Sequence, residues 1–208
     1  VRRALVSDPP YALRKRMDGS VTRILVLGPA GAGKSTLARG LGARLGIPVV
    51  HLDGLVLEHG GPGTRPFRDA LQQTLDGDAW IIDGTYVTTL EYRLARTHAV
   101  VLVDPGVRTC VSRVLKRRFG REAGHGSQGP PQRNVALWRQ LVWVIKYRHV
   151  VGPRIRESIV TLGREVTLLD VTATTPSPDW LVEVLARTTR KDQVGTDART
   201  VCPTSASN

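Results

Sequence analysis

The sequence predicts a doubly wound α/β domain, a parallel sheet held between two layers of helices, and three observations carry that expectation. Five short runs of aliphatic and β-branched residues recur along the chain, helical patterns separate them, and the runs are continuously apolar instead of alternating. Continuous apolar strands are covered on both faces, as in a parallel sheet. The strands are read at Arg23 to Gly28 (RILVLG), Pro48 to Leu52 (PVVHL), Ala79 to Asp83 (AWIID), Ala99 to Asp104 (AVVLVD) and Glu165 to Asp170 (EVTLLD). Helices fit at about 34–45, 65–77, 106–119, 134–149, 153–162 and 178–188, the last given its start by Ser177 or Pro178. This layout makes one domain over residues 21–188. Loose tails are expected at 1–20, which holds Pro9-Pro10 and the basic triplet Arg14-Lys15-Arg16, and at 189–208, polar and without period.

Ordinary apolar and charged content, 41% and 23% of 208 residues, excludes a wholly disordered chain, a collagen and a coiled coil. No apolar run approaches the roughly 20 residues that span a bilayer, and the N-terminus lacks the apolar stretch of a secretory signal. No membrane partner and a cytoplasmic location are therefore expected. Two cysteines, Cys110 and Cys202, show no metal-ligand spacing and no disulfide framework. The net charge of +12 points to acidic partners such as phosphates, nucleotides or nucleic acid. Residues 106–156 alone carry twelve basic side chains against Glu122, a net +11. Within this region, about 117–150 reads as a lid insertion or a surface loop, because Gly120, Gly124, Gly126, Gly129, Pro130 and Pro131 follow in quick succession between arginines.

The segment Gly28-Pro29-Ala30-Gly31-Ala32-Gly33-Lys34-Ser35-Thr36 follows the first strand and opens a helix, and it satisfies G-x-x-x-x-G-K-[ST] in the context that motif requires. Such a loop wraps a polyphosphate with backbone N–H groups, and side chains at Gly28, Gly31 and Gly33 would block that approach or its dihedrals. Gly28, Ala30, Gly31, Ala32, Gly33, Lys34, Ser35 and Thr36 are thus the expected nucleotide contacts. Lys34 should reach the β- and γ-phosphates, the helix N-terminus adds positive potential, and Ser35 offers its hydroxyl to Mg²⁺.

Two carboxylates end strands at the edge where open α/β sheets place ligands. Asp83 in WIIDGTY suits a Mg²⁺ ligand acting from behind the innermost ligands or through water, the alternative being a helix-capping or turn aspartate ahead of Gly84. Asp53 in VVHLDGL suits the group that orients or deprotonates an acceptor hydroxyl, the alternative being a helix cap. Lone His51 reads as a packed histidine, and Asp104-Pro105 as a turn. Arg113 and Arg117 lie four apart on one helix face, a guanidinium pair that suits a triphosphate and the charge of a phosphoryl-transfer transition state. Arg148 and Arg154 are candidates to close from the far side of the insertion, and Tyr86 and Arg93 to contact an acceptor. Trp138, Trp143 and Tyr147 interleave with basic residues, as a base-stacking surface or, more simply, as a helix packed on a core.

In this order, GPAGAGKST, HLDGL, WIIDGTY, VLVDP and an R-x-x-x-R-R helix resemble the adenylate-kinase-related P-loop proteins. Within them the nearest resemblance is to the DNA topology modulation family, over about residues 22–187. The resemblance implies a five-stranded parallel sheet of order 2-3-1-4-5 in a three-layer α/β/α P-loop NTPase fold with an Arg-rich helical lid. It matches Asp53 to the aspartate after the second strand of small-molecule kinases, and Arg113 and Arg117 to the arginines entering the lid. Nucleoside monophosphate kinases carry D-G-F-P-R after the third strand, whereas Asp83-Gly84-Thr85-Tyr86-Val87 lacks both Pro and Arg. The function expected is an ATP- and Mg²⁺-dependent phosphotransferase acting on a small-molecule or nucleotide acceptor, with Lys34, Asp53, Arg113 and Arg117 as catalytic residues. The alternatives are an ATP-binding regulatory or DNA-associated protein and an NTPase without acceptor.

Overall fold

A computed structural model of the chain describes residues 21–119, 137–161, 166–172 and 176–191. Its sheet has five parallel strands: β1 (Arg23–Leu27), β2 (Val49–His51), β3 (Trp80–Asp83), β4 (Ala99–Asp104) and β5 (Thr167–Thr172). Their order is β2-β3-β1-β4-β5, as the resemblance implied. The helices are α1 (Lys34–Leu45), α2 (Leu52–His59), α3 (Arg65–Leu75), α4 (Leu90–Leu94), α5 (Val107–Phe119), α6 (Leu137–Lys146), α7 (Gly152–Thr161) and α8 (Pro178–Lys191).

Successive residues of a strand point to opposite faces, so a continuously apolar strand feeds two cores at once. Ile24, Val26, Ile81, Val101 and Val103 pack with Leu37 and Leu41 of α1, Cys110 of α5 and Leu181 and Leu185 of α8. Leu25, Leu27, Ile82, Val100 and Leu102 pack with Phe67 and Leu71 of α3, Leu90 and Leu94 of α4, and Ile155 and Ile159 of α7. That division is the three-layer sandwich.

Three elements depart from the sequence reading. The second strand stops at His51, and Leu52 already belongs to α2, so Asp53 sits inside the first turn of a helix and does not cap it. A carboxylate there is favoured by the helix macrodipole. The short α4 was not foreseen, being only five residues long. The expected helix 134–149 is described from Leu137 and ends at Lys146, giving way to a wider, π-helical turn over Tyr147–Val151. Pro153 has no N–H to return to the carbonyl four residues back, and the Gly152 N–H donates instead to the Tyr147 carbonyl. Helix α8 continues through Lys191, three residues into the expected C-terminal tail, while the Gly/Pro run expected to form a lid, residues 1–20 and 192–208, and with them Cys202, lie outside the described residues.

Candidate phosphate-binding and acceptor site

The glycine loop leaves β1 at the point where the chain's crossovers diverge, β3 lying on one side of β1 and β4 on the other. Gly33 precedes α1 with φ 93°, a left-handed conformation that glycine adopts without strain. Gly28 and Gly31 are required for close approach as well, Gly31 also taking a left-handed φ of 79°. A Cβ on Gly28 would stand 2.3 Å from the Val103 carbonyl oxygen, and one on Gly31 2.3 Å from that of Cys110. These two glycines make room for the protein's own β4 and α5. The first turn of α1 has neither a side-chain cap nor an acidic residue, which leaves its N–H groups and positive dipole end available to an anion. Ser35 and Thr36 are exposed there, whereas Ala32 is fully buried and its N–H donates within the loop to the Pro29 carbonyl at 3.3 Å.

Lys34 Nζ donates to the Pro29 carbonyl at 2.8 Å. Burial lowers its pKa, and the nearby Asp83 and Asp53 carboxylates oppose that shift only in part. Both carboxylates that the sequence singled out are therefore near enough for their charges to act on the lysine.

Asp83 ends β3 and is 5% exposed. Its Oδ2 pairs with His51 Nδ1 at 3.0 Å, because the strand register sets His51 beside Asp83. Burial pushes the carboxyl up, but the His51 bond, the Lys34 charge and the Ser35 hydroxyl outweigh it and leave the pKa below the ordinary value. Among the described residues its buried Oδ1 has no hydrogen-bond partner. A buried anionic oxygen of this kind, beside a hydroxyl at the end of a phosphate loop, is a donor set that fits Mg²⁺. His51, read from sequence as a packed histidine, belongs to this site. The signal for it was available once β2 and β3 are neighbours, since both residues end their strands.

Asp53 accepts a hydrogen bond from the Tyr86 hydroxyl at 2.8 Å. Burial and the Asp53 charge hold that phenol well above its usual pKa, so it stays a donor. Thr85 fastens this side to the loop: its hydroxyl donates to the Gly28 carbonyl at 2.8 Å and accepts from the Gly28 N–H at 3.0 Å.

Arg93, expected among acceptor contacts, corrects the sequence reading. It is fully buried and donates to the carbonyls of Gly84 at 2.9 Å and Tyr86 at 2.7 Å, with its Nε on Thr89. Burial lowers its pKa to about 10. It lies behind the segment carrying Thr85 and Tyr86 and shapes that segment from within. Nothing in RILVLG or WIIDGTY announces it, because its shortest bonds go to the carbonyls of Gly84 and Tyr86.

The arginines are only partly gathered. Arg113 was expected to face the triphosphate beside Arg117, but its guanidinium donates to the carbonyls of Ala32 at 3.2 Å and Gly31 at 3.5 Å, bracing the loop. Arg117 is close enough for its charge to lower the Lys34 pKa. Arg148 lies on the π-helical turn with its guanidinium near Gly106. Arg154 lines a separate cavity of about 500 Å³ with Val87, Leu90, Trp143, Val151 and Ile155. Of the interleaved aromatics, Tyr147 is buried and Trp143 packs against the same core, so only Trp138 is exposed.

Glycine loop, buried lysine, β3 aspartate and strand order together define an α/β domain of the P-loop NTPase fold. No family model matches the chain, and no curated protein does. Among solved structures it is similar to the shikimate kinase of Acinetobacter baumannii in complex with shikimate. The identity is 16%, the TM-score 0.57, and the match covers 85% of this chain and 97% of that one. It is also similar to the shikimate kinase of Bacteroides thetaiotaomicron, at 18% identity and TM-score 0.50, covering 83% of this chain and 98% of that one.

Proposed function

We propose that the protein is an ATP- and Mg²⁺-dependent phosphotransferase that moves the γ-phosphoryl group of ATP to a hydroxyl on a small acceptor. The observation that carries this reading is a glycine loop opening an uncapped helix N-terminus, with two carboxylates, Asp83 and Asp53, near enough to Lys34 for their charges to act on it. An NTPase without acceptor has no use for a second carboxylate held by a tyrosine beside the loop. The likeness to structures of shikimate kinases supports the same reaction class, and the finer kinship with the DNA topology modulation family rests on the HLDGL and WIIDGTY motifs.

In this reading the N–H groups opening α1 bind the phosphates, and Lys34 leaves the Pro29 carbonyl to pair with the β- and γ-oxygens. Ser35 and Asp83 would hold Mg²⁺, which neutralises phosphate charge when bound. Asp53 orients the acceptor hydroxyl and takes its proton as the new O–P bond forms and the γ-phosphorus to β-phosphate oxygen bond breaks, so that ADP leaves. Arg117 adds positive charge near the transferring group, while Arg113 keeps the loop in shape. Arg148 and Arg154 are kept as acceptor or closure contacts on the returning helices.

The test is ADP release from Mg·ATP, alone and with nucleoside monophosphates, nucleosides, sugars and aminoglycosides, with Lys34→Ala as the blank. Acceptor-dependent release that Lys34→Ala abolishes is the expected result. ATP binding with turnover that no acceptor alters would refute the transfer reading.

A further inference from the structure

Helix α6 sends Val144 into the core, and Tyr147 and Val151 of the next turn follow it. Its opposite side is apolar as well. Trp138, Val142 and Ile145, spaced i, i+4 and i+7, share one stripe and are 62%, 42% and 51% exposed. Exposed Arg139 and Lys146 run along one edge of it, the Arg139 guanidinium 5.4 Å from the centroid of the Trp138 ring. Helix α5 packs against α6 and ends in exposed Lys116, Arg117 and Phe119.

We propose that this face docks the protein on an anionic lipid surface. The Trp138–Val142–Ile145 stripe enters the headgroup boundary, and Arg139, Lys146 and Lys116 meet lipid phosphates. The choice of partner follows from charge. Exposed Lys116, Arg139 and Lys146 border this face, so a second copy of this chain would set one positive rim against another. Nucleic acid would satisfy the charge, but the aromatics suited to stack bases at Trp143 and Tyr147 are turned inward, and Val142 and Ile145 have no ring to offer. An apolar stripe with a tryptophan and basic borders is the pattern of a helix lying in a membrane interface. Among the described residues no helix is long and apolar enough to cross a membrane, so the association lies on the surface. The sequence led to the expectation of no membrane partner, and this proposal departs from it.

The experiment is sedimentation of the full chain with vesicles of phosphatidylcholine alone and of phosphatidylcholine mixed equally with phosphatidylglycerol. Binding to the mixed vesicles only, weakening with salt, is expected. Arg139→Gln with Lys146→Gln should weaken it roughly tenfold. Trp138→Ser with Ile145→Ser should abolish it, with melting temperatures unchanged in both variants. Lys34→Ala should bind as the wild type does, which separates this surface from the phosphotransferase reading. A blue shift of tryptophan emission on binding should be lost in Trp138→Phe. No binding by the wild type, or equal binding by the serine variant, overturns the proposal. So does self-association or duplex DNA binding through the same residues without lipid binding.

Discussion

The two sides of the site are neighbours across β1 and β3, yet they are shaped by different means. The phosphate loop is made of backbone: a left-handed Gly33, two glycines pressed against the carbonyls of Val103 and Cys110, and a helix N-terminus. The acceptor side is made of side chains: Arg93 inside the 84–89 segment, Tyr86 on Asp53, and His51 on Asp83. The loop's glycines and lysine are written in adjacent residues. The His51–Asp83 and Tyr86–Asp53 pairs are separated by 32 and 33 positions, and the first emerges only when β2 and β3 are in register.

That contrast is open to breaking. The largest expected effect is from Arg93→Ala, which takes the Arg93 donor from the buried Gly84 carbonyl, leaves the Tyr86 carbonyl only its Thr89 donors and empties a fully buried site, and should cost about 3–5 kcal/mol in urea unfolding. A cost under about 1 kcal/mol would show that the acceptor side does not depend on that guanidinium. Lys34→Ala should cut turnover about 10²- to 10³-fold. The folded chain lowers the Lys34 pKa, so its charged form is disfavoured by folding at every pH below its ordinary value. Its removal should therefore leave the melting temperature unchanged or higher, which calorimetry would read.

On the loop side, Gly31→Ala places a Cβ against the Cys110 carbonyl at φ 79°, and should cost about 2–3 kcal/mol. An unchanged stability would mean that the loop yields where the structure has it packed. Thr85→Val should lose about 1 kcal/mol and Thr85→Ser recover most of it. The smallest effect concerns pH. Asp83 titrates below the ordinary carboxylate value when folded, so its stabilisation is complete above about pH 4 and is lost as pH falls through the folded pKa. Thermal melts of Asp83→Asn should thus fall less steeply than the wild type below about pH 4.

The fold was legible because RILVLG, AWIID and AVVLVD are apolar on both faces and the glycine loop marks β1. The strand order came from family resemblance, and the sheet agrees with it. Short α4 and the π-helical turn were not legible, since five residues show no period and Pro153 acts on a carbonyl outside any motif. In the site, the loop and Asp83 were marked by spacing. Arg93 was misread because an arginine among polar residues looks the same from sequence whether it faces a ligand or the protein interior.

The Thr85 hydroxyl, bonded to both the N–H and the carbonyl of Gly28, does what a neighbouring strand's backbone ordinarily does. It acts as a rivet joining the two substrate sides. A lineage drifting toward a new acceptor can rework Tyr86, but at position 85 it is confined to threonine and serine, the small hydroxyl residues. The phosphate loop thereby constrains the evolution of the facing segment through a single side chain.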